Sequence, residues 1–242
     1  MTPKIIFSDF DGTLTDHTEF SPKFLEIIEF STQRNIPFVI VTGRSLSWAH
    51  FFLTHFSKLS HVISEGGGVI SYRDEKGIIV DEFQVESEEL NWLEKFSKDL
   101  VERFSISLSA DSLGRVSDRA IELSDLKDVE LKEKICKRME QENINFSTSN
   151  VHLNFWCGEI SKYNAVKSFL SSHMPNISVE ESVFFGDSLN DQTMFESIEH
   201  SVGVSNIDEV ITQLVHKPKV ILHGDENKGP NGVLNYLKKI YK

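Results

Sequence analysis

Asp9 and Asp11 flank Phe10 directly after the apolar run Ile5-Ile6-Phe7, in the segment Asp9-Phe10-Asp11-Gly12-Thr13. Two acids one residue apart at the mouth of a buried strand repel each other. Desolvation adds to that cost unless a cation or another partner compensates. An Asp-Gly turn would by itself account for Asp11-Gly12, so the weight of the pair depends on what else the chain supplies. Three further polar clusters follow: Thr42-Gly43-Arg44, Lys162, and Gly186-Asp187-Ser188-Leu189-Asn190-Asp191. Each falls at the end of an apolar run or at the start of a predicted helix. In open parallel sheets, ligands bind outside the carboxyl ends of the strands, where loops and helix N-termini converge.

The elements that must position these groups show in the hydrophobic pattern. Ile5–Ser8, Pro37–Val41 and Val62-Ile63 read as short buried strands, the second ending at Thr42. Ser21-Pro22 supplies an N-cap followed by proline at the first helical position, and Phe24, Ile27 and Ile28 continue at helical spacing. A further helix is expected over Ser45–Phe56, and a strand over Val69–Tyr72 after Gly66-Gly67-Gly68. Unbroken apolar strands alternating with helices indicate a parallel sheet covered on both faces.

Near Asp81 the rhythm changes. Helices over Val85–Phe104 and Val129–Gln141, with strands over Ser105–Ala110, Arg115–Leu123, Ile144–Ser147 and Val151–Trp156, suggest a helix-strand-strand unit used twice. The first rhythm resumes at Ser161, an N-cap for a helix carrying Tyr163, Val166, Phe169 and Leu170. Val183-Phe184-Phe185, Ser201–Val204 and Val220–Leu222 follow as strands, and Asn231–Tyr241 as a closing helix. The expected fold class is α/β: a doubly wound, Rossmann-like parallel-sheet core, residues 1–82 and 158–242, with a smaller α+β domain inserted over 83–157.

Composition narrows the partners. With 242 residues, 39% hydrophobic and 26% charged, the chain can bury a sizeable core. A formal charge of −12 argues against nucleic acid or an anionic membrane as partner. Cys136 and Cys157 lack metal-type spacing and are expected to pack as small apolar groups in a reducing compartment. Neither a signal-peptide pattern nor a run long enough to span a bilayer is apparent, which gives a cytoplasmic expectation. His50 and His55, five apart, do not align on a metal, and His152 and His223 are isolated.

In order and in placement, the four clusters resemble the motifs of the haloacid-dehalogenase-like hydrolases: Asp9–Thr13 the first, Thr42 with Gly43 the second, Lys162 the third, and Gly186-Asp187 through Asp191 the fourth. The resemblance implies a phosphatase in which Asp9 attacks phosphorus to form an aspartyl phosphate. Asp11, reached along an extended segment, would serve as acid and then base. It implies Mg²⁺ held by the Asp9 carboxylate, the Asp11 carbonyl and Asp187, with Asp191 binding directly or through water. Thr42 and Lys162 would hold the transferring oxygens, and Gly43, Arg44 and Asn190 are further candidates for substrate contact.

An insert between the second and third motifs resembles a class II, B-type cap, similar to those of sucrose-phosphate and trehalose-phosphate phosphatases. It implies a small phosphate ester, a sugar phosphate first. Arg103, Arg115, Arg119 and Lys127 in the insert remain unassigned, and Gly66 departs from the Asn-Gly often found in the family. Two rival readings stand beside it. A phosphomannomutase-like phosphotransferase would carry a different fourth motif. A weakly catalytic phosphosugar-binding protein would have no need of nucleophile and acid together. Oligomeric state is not legible.

Overall fold

The computed structural model describes residues 2–16, 19–148 and 152–242. In chain order, β1 (Ile5–Ser8), α1 (Pro22–Gln33), β2 (Phe38–Val41), α2 (Leu46–His55), β3 (His61–Ser64), β4 (Val69–Arg73) and β5 (Ile79–Phe83) open the larger lobe. A smaller lobe follows, with α3 (Ser87–Phe104), β6 (Asp118–Glu122), α4 (Val129–Gln141), β7 (Asn145–Thr148) and β8 (His152–Trp156). The larger lobe resumes with α5 (Lys162–His173), β9 (Ser182–Gly186), α6 (Gln192–Ser197), β10 (Ser201–Gly203), β11 (Val220–Ile221) and α7 (Gly229–Ile240).

The larger sheet has the order β11-β10-β9-β1-β2-β3-β4-β5. It is parallel from β11 to β3, and then antiparallel through β4 and β5. The expected α/β doubly wound core is present, with an antiparallel hairpin added at one edge. Strand β5 was not anticipated; it pairs with β4 across the turn at Asp74–Gly77, with Tyr72 opposite Val80. From β1 the chain winds first towards β2 and β3 and later towards β9, β10 and β11. The C-terminal end of β1 is therefore the switch point, where such sheets open a crevice.

Continuous apolar strands feed two cores because successive side chains point to opposite faces. Ile6, Phe38, Ile40, Val183 and Phe185 pack with α1, α2 and α7. Ile5, Phe7, Val39, Val41 and Phe184 pack with α5 and α6. Helix α1 begins as expected: Pro22 is its first residue and the Ser21 side chain accepts from Lys23 N–H at 3.2 Å.

The smaller lobe carries a three-stranded sheet of order β6-β8-β7, fully antiparallel. Its own core includes Leu93, Phe96, Leu100, Ile121, Ile135, Met139, Leu153 and Phe155. The expected strand over Ser105–Ala110 is absent, so the helix-strand-strand unit is not repeated. Ser105 takes a left-handed conformation (φ 52°) that ends α3, and Ala110–Gly114 forms a 3₁₀ turn. Ile106 and Leu108 still pack on the lobe's core, which accounts for the alternating pattern without a ladder. Val151, placed in the last expected strand, lies outside the described residues. Among the described residues, no helix is long and apolar enough to cross a membrane.

Candidate active site

Phe10 explains why two acids can share this loop. Its ring is buried among Phe24, Phe52 and Trp48, with the Phe52 centroid at 4.7 Å. The Asp9 N–H still donates to Phe185 O at 2.8 Å, extending the sheet by one residue, and its carboxylate is buried.

Lys162, the first residue of α5, enters the same point from the other lobe's exit. Its Nζ donates to Asp9 Oδ1 at 2.6 Å and to Asp191 Oδ1 at 2.7 Å, with Asn190 Oδ1 at 3.2 Å. Ser161 caps the helix by accepting from Asn164 N–H at 3.1 Å. A cation in the first turn opposes the helix dipole, and the two buried carboxylates outweigh that cost. Burial alone would lower the lysine's pKa, but Asp191 and Asp9 together hold it above the ordinary range.

Asp187 and Asp191 come from the loop after β9. Asp191 Oδ2 accepts from the N–H groups of Asp187 and Ser188, both at 3.1 Å, so Asp191 caps its own loop while facing Lys162. Asp187 Oδ1 accepts from Thr13 Oγ1 at 2.9 Å, and Asp187 Oδ2 from Asn206 Nδ2. Asp9, Asp187 and Asp191 each bring a carboxylate oxygen within 4.8 Å of the others.

Burial raises the pKa of Asp9 to about 7; Lys162 opposes the shift, while Asp191 and Asp11 add to it. Asp187 is held well above the usual carboxylate range, by burial first and then by Asp9 and Asp191. Three acids brought this close together fit a hard divalent cation with oxygen ligands, since bound positive charge would relieve the repulsion.

Residues 11–14 form a turn, not an extended segment: Leu14 N–H donates to Phe10 O at 2.8 Å, and Gly12 sits at φ 80°. The Asp11 carboxylate meets Arg44, which donates from Nε at 2.8 Å and from Nη2 at 2.6 Å. Arg44 in turn lies over Trp48, 4.7 Å from the ring centroid. The Thr42 side chain is fully buried, and its Oγ1 accepts from Arg44 N–H at 3.0 Å. Gly43 presents its carbonyl to Arg115 Nη2 of the smaller lobe at 3.1 Å. The Thr42–Arg44 segment thus lines the mouth, and Asn190 stands beside Lys162.

With this geometry in place, comparison with known proteins is decisive. The haloacid dehalogenase-like hydrolase family matches residues 6–114 and 95–237. The chain belongs to that family. A phosphoglycolate phosphatase of Methanobrevibacter smithii is 24% identical over 208 residues, spanning 84% of this chain and 86% of the relative. Among solved structures, a Thermoplasma acidophilum protein has a TM-score of 0.78 at 19% identity, covering 100% of this chain and 99% of that one. A sucrose-phosphatase of Synechocystis, solved with sucrose and phosphate, has a TM-score of 0.68 at 14% identity, over 100% and 99%. Both structures share the fold through the two lobes. The smaller lobe is inserted in the chain between Thr42 and Lys162.

Asn206 and Glu65 of this hydrolase's site went unnoticed in the sequence, and Thr13, quoted within the first motif, was given no role of its own. Thr13 and Asn206 hold Asp187 from opposite sides, and Asn206 Nδ2 also donates to Gly12 O at 3.0 Å while its Oδ1 accepts from Gly229 N–H at 3.1 Å. Glu65, buried behind the mouth, accepts from the smaller lobe. Only Gly12 carried a hint, as the glycine of Asp-Gly. A Cβ there would lie 2.3 Å from Asp187 Oδ2.

Proposed function

We propose that the chain is a Mg²⁺-dependent phosphomonoesterase that hydrolyses a small phosphorylated metabolite, a sugar phosphate first, through an aspartyl phosphate on Asp9. The observation that carries this reading is the bond from Lys162 to Asp9. It fixes one carboxylate oxygen and leaves the other to attack, at the switch point of the sheet. Asp9 forms the new bond to phosphorus as the bond from phosphorus to the leaving oxygen breaks, and Asp11 gives that oxygen a proton. Asp11 then takes a proton from water, whose oxygen displaces Asp9 and releases inorganic phosphate. Thr42 and Lys162 hold the phosphoryl oxygens. Asp9, Asp187, Asp191 and the Asp11 carbonyl would hold Mg²⁺, which when bound supplies positive charge against the phosphoryl group.

In this reading residues 83–157 act as a cap over the mouth. Its sheet buries Ile121, Leu153 and Phe155 against α3 and α4, so Asp118, Glu122, His152 and Asn154 occupy the opposite face. Glu122 Oε1 meets Ser109 Oγ at 2.7 Å and His152 Nε2 at 3.0 Å, and Asn154 donates to Asp118 at 3.2 Å. Arg115, the cationic group on that side, is committed to Asp111 and Asp118, at 2.6 and 2.7 Å. A face rich in carboxylate and amide acceptors suits the hydroxyls of a sugar and repels a second acid.

The Methanobrevibacter relative's name favours a second reading, a phosphorylated carboxylic acid, for which the half-exposed Arg44 is the cation at hand. Phosphate release from a panel of sugar phosphates, phosphoglycolate and an aryl phosphate, with Mg²⁺ or EDTA and with Asp9→Asn beside the wild type, decides among these. Magnesium-dependent turnover lost in the variant supports the mechanism, and the preferred ester selects the substrate. Binding of sugar phosphates with no turnover of any ester would make the protein a binder.

A further inference from the structure

Glu65 follows β3 in a left-handed conformation (φ 53°) and is 1% exposed. A non-glycine residue there is strained, and a buried carboxylate is costly unless its oxygens are fully hydrogen-bonded. Here they are. Oε1 accepts from the N–H groups of Leu46 at 2.9 Å and Val116 at 3.0 Å. Oε2 accepts from Ser117 N–H and Ser117 Oγ, both at 2.6 Å, and from Val116 N–H at 3.1 Å. The Glu65 N–H donates to Arg44 O at 2.8 Å, and the next N–H, of Gly66, to Thr42 O at 3.0 Å.

One residue therefore grips two segments. On the core side these are the Thr42–Leu46 residues that carry Arg44, and on the other the Val116-Ser117 loop of the smaller lobe. The same two stretches are tied twice more: Arg115 donates to Gly43 O at 3.1 Å, and Ser45 Oγ to Asp111 at 2.8 Å. Gly68 makes room for the loop, since a Cβ there would sit 1.9 Å from Ser117 Oγ. Between Gly43 and Ser45 stands Arg44, whose guanidinium holds Asp11.

We propose that Glu65 is a positioning residue that clasps the cap loop to the Thr42–Leu46 segment, so that docking of the cap sets the Arg44–Asp11 pair. This rests on the phosphatase reading only for its kinetic consequence; the clasp itself is a property of the fold.

Glu65→Gln in the full chain tests it. The glutamine amide nitrogen cannot accept, and it meets the Val116 and Ser117 donors with hydrogens of its own. Amide hydrogen exchange at Leu46, Val116 and Ser117 is expected to accelerate together by about tenfold or more, with the β1 amides unchanged. Turnover is expected to fall about tenfold on every ester, including an aryl phosphate too small to reach the cap, with little change in KM. Ser117→Ala removes one of the bonds without touching Glu65 and should give a smaller acceleration at the same three amides.

Faster exchange at Val116 and Ser117 alone, with Leu46 and kcat unchanged, would overturn the coupling and leave an ordinary interlobe contact. Unchanged exchange at all three would overturn the clasp. If the wild type turned over no ester, the phosphatase reading would fail while the exchange data still decided the clasp.

Discussion

Arg44 and Asp11 face each other as a two-pronged pair, Nε to Oδ2 at 2.8 Å and Nη2 to Oδ1 at 2.6 Å, at the rim of a site where Asp9 and Asp191 are buried. Such a fork fixes the carboxylate in angle as well as distance. Lysine would keep the charge but not the geometry. Arg44→Lys is therefore expected to lower kcat roughly tenfold, and Asp11→Asn by about a hundredfold or more. Steady-state kinetics on one ester under saturating Mg²⁺ checks both. Equal activity of Arg44→Lys and wild type would show that the fork does not position the acid.

The raised pKa of Asp9 has a sign that can be worked through. Its carboxyl moves from 3.8 to about 7 on folding, so the folded, metal-free chain binds the proton more tightly than the unfolded one. The stability from that proton is present in full below pH 3.8 and is lost as pH rises through 7. Metal-free protein should thus melt at lower temperature at pH 8 than at pH 6, and Mg²⁺ should raise the midpoint more at pH 8. Asp9→Asn should remove much of this dependence, gaining several degrees at pH 8, at about 2–4 °C per kcal/mol. Scanning calorimetry with EDTA or Mg²⁺ measures it.

Protons and metal compete for the same carboxylates. Mg²⁺ affinity should therefore fall as pH drops below about 7, by up to about tenfold per unit for each proton displaced. Titration calorimetry at pH 6 and 8 gives the slope directly. A flat dependence would mean that Asp9 and Asp187 do not ligate the ion.

Asn206 anchors Asp187 while tying the Gly12 carbonyl to the start of α7. Asn206→Ala should weaken Mg²⁺ binding by roughly 10–100-fold, the usual effect of losing a group that orients a metal ligand. Gly12→Ala should be as damaging or worse, because its Cβ would collide with Asp187 and the φ of 80° strains any side chain. Calorimetric Mg²⁺ titration of both variants, with circular dichroism to verify folding, tests the placement of Asp187.

The outward polar face of the cap sheet predicts a change in specificity without loss of chemistry. Glu122→Ala should raise KM for the preferred sugar phosphate by about tenfold, given that a lost charged hydrogen bond contributes about 1.5–3 kcal/mol. The aryl phosphate should be unaffected. Parallel effects on both esters would place Glu122 in the fold of the cap and not in recognition.

The four polar clusters were legible because each ends an apolar strand or opens a helix, and local patterns of burial and capping mark such places along the chain. Ser161 before Lys162, and the runs Ile5–Phe7 and Val183–Phe185, needed no knowledge of distant partners. Tertiary structure alone decided where the polar groups of the loops pointed. Asp9 and Lys162 stand 153 positions apart in the chain, and Asn206 meets Gly12 across 194. Nothing local distinguishes Glu65 or Asn206 from residues solvated on a surface, and nothing local aims Thr13 at Asp187. The turn that swings Asp11 towards Arg44 and the 3₁₀ turn that replaces a strand after Ser105 have the same origin. In loops, hydrogen-bond partners supplied by remote segments outweigh local propensity, whereas in β1, β2 and β9 the burial of every side chain leaves local sequence in control.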